Sequence, residues 1–108
     1  MVSKPLPFKL SAPKALRIIR EVAQDSSRVI LTDHAKARMQ VRRINLPQVL
    51  SCLLKGQIDE GPALDIHGNW TCSLRWRHAG DSIKVAIAIK HDIQTGQKLI
   101  VITVMHED

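Results

Sequence analysis

Helical periodicity dominates the first part of the chain. After an extended, proline-bearing N-terminal segment, apolar residues recur three and four positions apart between residues 12 and 25, which predicts an amphipathic helix. Ser11 lies where an N-cap is expected, and Pro13 falls in the first turn, where proline is tolerated. The stretch at residues 28–32 is short and β-branched and follows the polar letters "DSS", so it predicts a brief strand.

Two further helices are predicted before residue 56. The second runs from about 34 to 43, with Thr32 or the residue after it as the N-cap. The third runs from about 46 to 55, with Asn45 as its N-cap. Gly56 follows directly, and we expect it to end this helix in the left-handed conformation.

Beyond residue 56 the apolar period changes from helical to alternating, as in half-buried strands. The segments "WTCSLRWRH" and "SIKVAIAIKH" are joined at Ala79-Gly80, which predicts a hairpin with His78 opposite Asp81. In that register one face of the hairpin is apolar and should pack on the helices. Its members are Trp70, Cys72, Leu74, Trp76, Ile83, Val85, Ile87 and Ile89.

The remaining strand signals are less regular. "KLIVITVM" at 98–105 is apolar on both faces and predicts an inner strand, which the loop "DIQTGQ" joins to the hairpin. "QIDEG" predicts a weaker strand and "PALDIHGN" a loop. The order of elements predicts an α+β fold in which the N-terminal helices pack on one face of a three- to four-stranded antiparallel sheet.

Length and composition narrow the class of protein. A chain of 108 residues fits one domain, and we expect a single domain over 1–108. No apolar run approaches the roughly 18 to 20 residues that cross a bilayer, and the N-terminus lacks a signal-peptide pattern, so a cytoplasmic protein without a membrane partner is expected. Cys52 and Cys72 lie in apolar patterns without a C-x-x-C motif, which predicts buried free thiols rather than a disulfide or metal ligands.

Charge is distributed unevenly along the chain. The formal net charge is +6, but residues 1–55 hold 11 Lys/Arg against 3 Asp/Glu, whereas residues 56–108 hold 5 against 7. A basic half favours a polyanionic partner, of which nucleic acid is the commonest, because each neutralised phosphate releases counterions. A solvated basic surface that only aids solubility is the alternative.

Much of this charge falls on the second helix, in "LTDHAKARMQVRRI". His34 and Arg38 are four residues apart and share a face, with Arg42 one turn further. The positive end of the helix dipole favours a neutral imidazole at His34, and a neutral ring can act as a base. In the alternative interpretation His34 bonds within the fold, while the arginines are solvated or pair with acidic residues. The acidic candidates are Asp59, Glu60 and Asp65.

This segment and the strands after it resemble the family catalogued as domain of unknown function 4258, which is grouped with the RelE/ParE-like toxins. The positions that carry the resemblance are Thr32, His34, Ala35, Arg38, Arg42 and Ile44. Arg43 stands where the family commonly has a glycine. The resemblance covers residues 28–105 and leaves 1–27 as an N-terminal helical extension. It implies a RelE-like core and ribonuclease chemistry, but no fixed catalytic set.

Metal-independent cleavage of RNA by the ribose 2′-hydroxyl requires a base, an acid and fixed cations. We assign His34 as the base or acid and Arg38 and Arg42 as catalytic phosphate binders, since a guanidinium can hold two phosphate oxygens. The candidate RNA-binding residues around them are Lys36, Arg43, Arg75, Arg77, Lys84 and Lys90. No metal or cofactor is expected, because the histidines lack zinc-like spacing and no glycine-rich phosphate loop is present.

Two functions lead. One is a toxin-like endoribonuclease of a toxin–antitoxin pair, acting on free or ribosome-bound RNA and restrained by an acidic antitoxin protein. The other is a non-enzymatic nucleic-acid- or protein-binding module on the same fold, with the basic helix as a phosphate clamp. A third interpretation is a housekeeping domain whose charge is incidental.

Trp70 and Trp76 alternate with apolar residues and are expected in the core rather than as base-stacking groups. The oligomeric state is left open.

Overall fold

The computed structural model describes residues 9–92, 94 and 96–107, without the side chain of Asp92. The extended N-terminal segment expected before residue 9, and positions 93 and 95 of the expected loop "DIQTGQ", lie outside these residues. In chain order the elements are α1 (Ala12–Ala23), a 3-10 turn (Ser26–Arg28), β1 (Val29–Leu31), α2 (Asp33–Arg42), α3 (Leu46–Lys55), β2 (Gln57–Leu64), β3 (Trp70–His78), β4 (Asp81–Asp92) and β5 (Gly96–His106).

The three helices begin at the predicted caps. The Ser11 hydroxyl accepts the backbone N–H of Lys14 at 3.3 Å at the start of α1. At α3, Asn45 and Gln48 exchange side-chain to backbone hydrogen bonds of 2.8 and 2.9 Å, forming a capping box. Thr32 caps α2. Local capping chemistry therefore accounts for where each helix starts.

The prediction for Gly56 is wrong in conformation. Its φ of −74° and ψ of −179° are extended, because the chain enters β2 at the next residue. A Cβ at this position would lie 2.5 Å from the carbonyl oxygen of Cys52 and 2.7 Å from that of Arg75. Glycine is thus required here by close backbone approach rather than by a left-handed turn. Arg20 donates to the carbonyl oxygens of Leu53 and Gly56 at 3.1 and 2.6 Å, which satisfies this end of α3.

Within the described residues the sheet has five strands in the order β1-β5-β4-β3-β2 and is mixed. The expectation of three to four antiparallel strands is therefore wrong in count and in part in direction. The difference lies at the outer edge, where β1 pairs parallel with β5 and Ile30 lies opposite Ile100. A three-residue strand is too short to show an alternating pattern, so the sequence did not indicate its partner.

The hairpin formed by β3 and β4 has the predicted register. Trp70 pairs with Ile89 and His78 with Asp81, at the two ends of the ladder. Of the predicted apolar face, all side chains except that of Trp76 are buried, and they share one hydrophobic cluster with the buried side chains of α1, α2 and α3. We refer to this side of the sheet as the core face, and to the other as the outer face.

The outer strand β2 is longer than predicted. It continues through Pro62 and Ala63 to Leu64, where a loop was expected. Two register shifts interrupt its pairing with β3, between Ile58 and Glu60 and between Glu60 and Ala63. Such shifts break the alternation from which strands are recognised, and proline is tolerated because β2 has a neighbour on one side only.

Candidate nucleic-acid interface

The start of α2 is tied to β5 by Thr32. Its hydroxyl accepts the N–H of Ala35 at 3.0 Å and donates to the carbonyl oxygen of Val101 at 2.9 Å. The backbone N–H of Thr32 also donates to Val101, at 3.2 Å. The carbonyl of Ile102 lies 3.2 Å from the same hydroxyl, where a register shift interrupts the β4–β5 ladder. One threonine thus caps the helix and docks it on the sheet.

The end of α2 is tied to β5 by a second pair of bonds. Nη1 of Arg42 donates to the carbonyl oxygen of Val104 at 2.9 Å. Nε2 of His106 lies 2.7 Å from the carbonyl oxygen of Arg42 and, facing an acceptor, donates to it. Arg42 is half-buried. This predicted phosphate binder therefore also fixes the helix to the sheet, and His106, which sequence reasoning did not select, assists it.

The chain leaves α2 through a left-handed residue, Arg43, with φ 56° and ψ 45°. The N–H of Arg43 donates to the carbonyl of Gln40 at 3.4 Å, and that of Ile44 donates to Met39 at 2.9 Å. These two bonds form a Schellman motif, in which glycine is the usual left-handed residue. The conformation explains the glycine expected at this position, and here an exposed arginine occupies it.

The remaining charged groups of this helix face solvent. His34 and Lys36 are exposed and Arg38 is half-buried. The side chains of these three residues and of Arg43 form no hydrogen bond or ion pair within the part of the chain that the structure describes. The alternative in which the arginines of α2 pair with Asp59, Glu60 or Asp65 does not describe Arg38 or Arg43.

The helix does not gather all the predicted catalytic residues at one point. His34 and Arg38 lie one turn apart on one flank, whereas Lys36 is rotated about 200° from His34, on the other flank. Eight residues separate His34 from Arg42, which is about 12 Å along the helix axis. His34 and Arg38 are therefore close enough along the helix to share a ligand, whereas Arg42 is displaced from them along the axis and bonded to Val104.

The outer face holds a cluster of ion pairs at the hairpin end. Arg75 contacts Asp59 at 2.9 Å and also pairs with Glu107. Nζ of Lys84 lies 2.9 Å from Glu60, 3.0 Å from Asp59 and 3.7 Å from Glu107. Two of the predicted RNA-binding cations are thus surrounded by three carboxylates. The negative charge of these carboxylates weakens the attraction of both cations for a phosphate.

The cluster also changes proton affinities. The hydrogen bonds from Lys84 to Glu60 and then to Asp59 raise the pKa of Lys84 well above its usual value, against a smaller opposing effect of desolvation. The hydrogen bond from Lys84 lowers the pKa of Asp59, and the charge of Arg75 lowers it further. Both groups are held in their charged forms. Arg77 and Lys90, the other candidates on these strands, are exposed and form no ion pair among the described residues.

The two tryptophans occupy different environments. Trp70 is 6% exposed and lies in the hydrophobic cluster, as predicted. Trp76 is half-buried, and its ring stacks on that of His78 with centroids 5.1 Å apart and planes 3° from parallel. The alternating pattern correctly placed Trp76 on the core face. Sequence reasoning did not connect Trp76 with His78, although His78 is two residues further along the strand and so on the same face.

Both cysteines are buried free thiols, as predicted. Burial raises the pKa of Cys52 to about 12 and that of Cys72 to about 11. Sγ of Cys52 donates to the carbonyl oxygen of Leu74 at 3.4 Å. These thiols therefore serve packing, since a thiol that stays protonated is a poor nucleophile and metal ligand.

Among the described residues, no helix is both long enough and apolar enough to span a membrane. Comparison with known proteins found no match among curated proteins or among solved structures. A family model matches residues 31–106, from the strand before α2 to the end of β5. The match covers most of the chain and includes the tethered helix, so the protein belongs to the family described as Domain of unknown function (DUF4258).

Proposed function

We propose that this protein binds single-stranded RNA through α2. The observation that carries the proposal is the contrast between the two groups of cations. The side chains of Lys36, Arg38 and Arg43 have no partner within the described residues, whereas those of Arg75 and Lys84 are neutralised by carboxylates. Phosphate binding requires cations that need not first break an ion pair.

The rigid attachment of α2 also supports binding. Its first turn is held by Thr32 and its last by Arg42, both bonded to β5. A tethered helix keeps its exposed cations in a fixed spacing, so less conformational entropy is lost when a phosphate chain docks. The excess of basic residues in the first half of the sequence adds long-range attraction for a polyanion.

RNA cleavage is the second candidate, and the feature that favours it is His34. This histidine is exposed, belongs to the first turn of α2 and lies one turn from Arg38, so a phosphate held by Arg38 is within reach of its ring. The ribonuclease chemistry that the family resemblance implies points the same way. In that proposal the protein is a metal-independent endoribonuclease toxin, and an acidic antitoxin protein covers the unpaired cations of α2.

Binding is tested by Arg38→Gln, with Arg17→Gln as the matched control. Arg17 is an exposed cation of α1 without an ion pair among the described residues, so both variants lose one charge. The affinity for a labelled oligouridine is measured by fluorescence anisotropy at several salt concentrations. Arg38→Gln should flatten the slope of log affinity against log salt by about 0.7, whereas Arg17→Gln should leave the slope unchanged. Equal effects would mean that only net charge attracts RNA.

Cleavage is tested by His34→Gln in single-turnover assays, with and without ribosomes. Glutamine keeps hydrogen-bonding capacity but cannot transfer a proton near neutral pH, so cleavage should fall by about 10²- to 10⁴-fold. Because the His34 side chain is exposed and forms no hydrogen bond or ion pair among the described residues, the melting temperature and the RNA affinity of the variant should stay unchanged. If the variant still cleaves RNA, His34 takes no part in the reaction. If the wild type binds RNA without cleaving it, the proposal of a non-enzymatic binding module stands instead.

A further inference from the structure

The stacked pair of Trp76 and His78 lies at the free end of the hairpin. Both side chains are on the core face of β3, just before the turn at Ala79-Gly80. Trp76 packs against the hydrophobic cluster with part of its ring, while His78 is exposed. The two parallel aromatic rings therefore extend from the hydrophobic cluster toward the surface.

Trp76 is held in place by its neighbours across the sheet. Trp76 lies opposite Ile83 on β4, and Ile83 lies opposite His106 on β5, so the three side chains form one row across the core face. Ile83 is 1% exposed. A ring that rests on a buried neighbour is restricted in its rotamers before any ligand arrives, so less entropy is lost when a planar group stacks on it.

This row connects the aromatic pair to the basic helix. His106 donates to the carbonyl oxygen of Arg42, so the end of α2 lies at the far end of the row from Trp76. Two strand spacings separate Trp76 from His106, which is about 10 Å. The unpaired Arg43 follows Arg42 directly. A single nucleic-acid strand lying along this end of the sheet can contact both the cation and the rings.

We propose that Trp76 and His78 form a base-stacking subsite for an unpaired nucleobase of a strand whose phosphates lie on α2. This inference rests on the proposed RNA binding. Each base has a planar π-face, so stacking on the exposed side of this pair would be tolerant of base identity. The subsite contributes affinity that does not depend on salt, in contrast to the phosphate contacts of α2.

The test compares Trp76→Leu and His78→Ala with the full-length wild type in binding an oligouridine and an abasic strand of the same length and charge. Trp76→Leu should weaken oligouridine binding on the order of 5- to 100-fold. His78→Ala should weaken it in the same direction and leaves the core untouched, because His78 is exposed. Neither variant should change the salt slope. The abasic strand should bind the wild type as weakly as oligouridine binds Trp76→Leu.

Fluorescence gives an independent readout. Oligouridine should quench the emission of the wild type, whereas Trp76→Phe, which retains only the buried Trp70, should show little quenching. Salt-dependent binding that is equal for oligouridine and the abasic strand, and unaffected by both substitutions, would overturn the stacking subsite and leave the phosphate interface intact. Failure of the wild type to bind either strand would overturn the proposed function together with this inference.

Discussion

Replacing Arg43 by glycine should stabilise the protein and weaken its binding to RNA. Arg43 has φ 56° and ψ 45°, a left-handed conformation that costs a residue with a Cβ about 1–2 kcal/mol. Glycine relieves this strain but loses about 0.5–1 kcal/mol through the greater freedom of the unfolded chain. The net expectation is a gain of about 0.5–1 kcal/mol in the free energy of unfolding.

The assay pairs this variant with Arg43→Ala and Arg43→Asn. Alanine removes the charge but keeps the strained backbone, whereas asparagine tolerates the left-handed conformation better. Unfolding in urea should rank glycine above asparagine, with alanine close to the wild type, at an unchanged denaturant slope. In thermal unfolding, the gain for glycine corresponds to about 2–6 °C in the melting temperature.

RNA binding separates the two roles of this position. All three variants lack the guanidinium, so each should flatten the dependence of log affinity on log salt by about 0.7, whatever its stability. The reasoning about strain fails if Arg43→Gly is no more stable than Arg43→Ala. The reasoning about phosphate contact fails if the salt slopes of all three variants equal that of the wild type.

Two further substitutions test what the structure says about other predicted RNA-binding residues. Arg42→Ala should lower the free energy of unfolding by about 1–2 kcal/mol in urea denaturation, because the carbonyl of Val104 loses its donor; a fully stable variant would contradict this anchoring role. Lys84→Met should reduce the loss of stability between about pH 7 and about pH 3 relative to a Lys90→Met control. Lys84 lowers the pKa of Asp59, so the stability from this pair is present above about pH 4 and lost as the pH falls through the lowered value. If the free energy of unfolding of the two lysine variants falls equally as the pH is lowered, that linkage is refuted.

The parts of the fold that could be predicted are those decided by neighbouring residues. Ser11 and Asn45 cap their helices through bonds to residues three positions away. The register of β3 and β4 follows from a two-residue turn and from alternation on both strands. Each of these features depends on sequence distances that a local pattern can represent.

The features that could not be predicted depend on distant contacts. Gly56 must be glycine because the carbonyl of Arg75 lies against it, and that contact is not visible in the sequence around the glycine. Arg42 and Arg38 look equivalent on a helical projection, yet only Arg42 reaches the backbone of β5. The pairing of Lys84 with Glu107 likewise appears only when β4 and β5 lie side by side.

The positions that carry the resemblance to the family fall into two groups in this structure. Thr32 and Arg42 bond α2 to β5, while Ala35 and Ile44 are buried at 0% and 3% exposure. Their residue types are explained by anchoring and packing. The side chains at the other two positions, His34 and Arg38, form no hydrogen bond or ion pair within the described residues.

The side chains of His34 and Arg38 lie one turn apart on a helix that is bonded to β5 at both ends. No hydrogen bond or ion pair within the described residues gives either side chain a role in the fold. The same helix would be equally well docked with uncharged residues at both positions, since its attachment to β5 runs through Thr32, Arg42 and His106. We therefore propose that function rather than stability accounts for His34 and Arg38. Substituting these two residues tests the proposed RNA binding and RNA cleavage while the bonds between α2 and β5 stay in place.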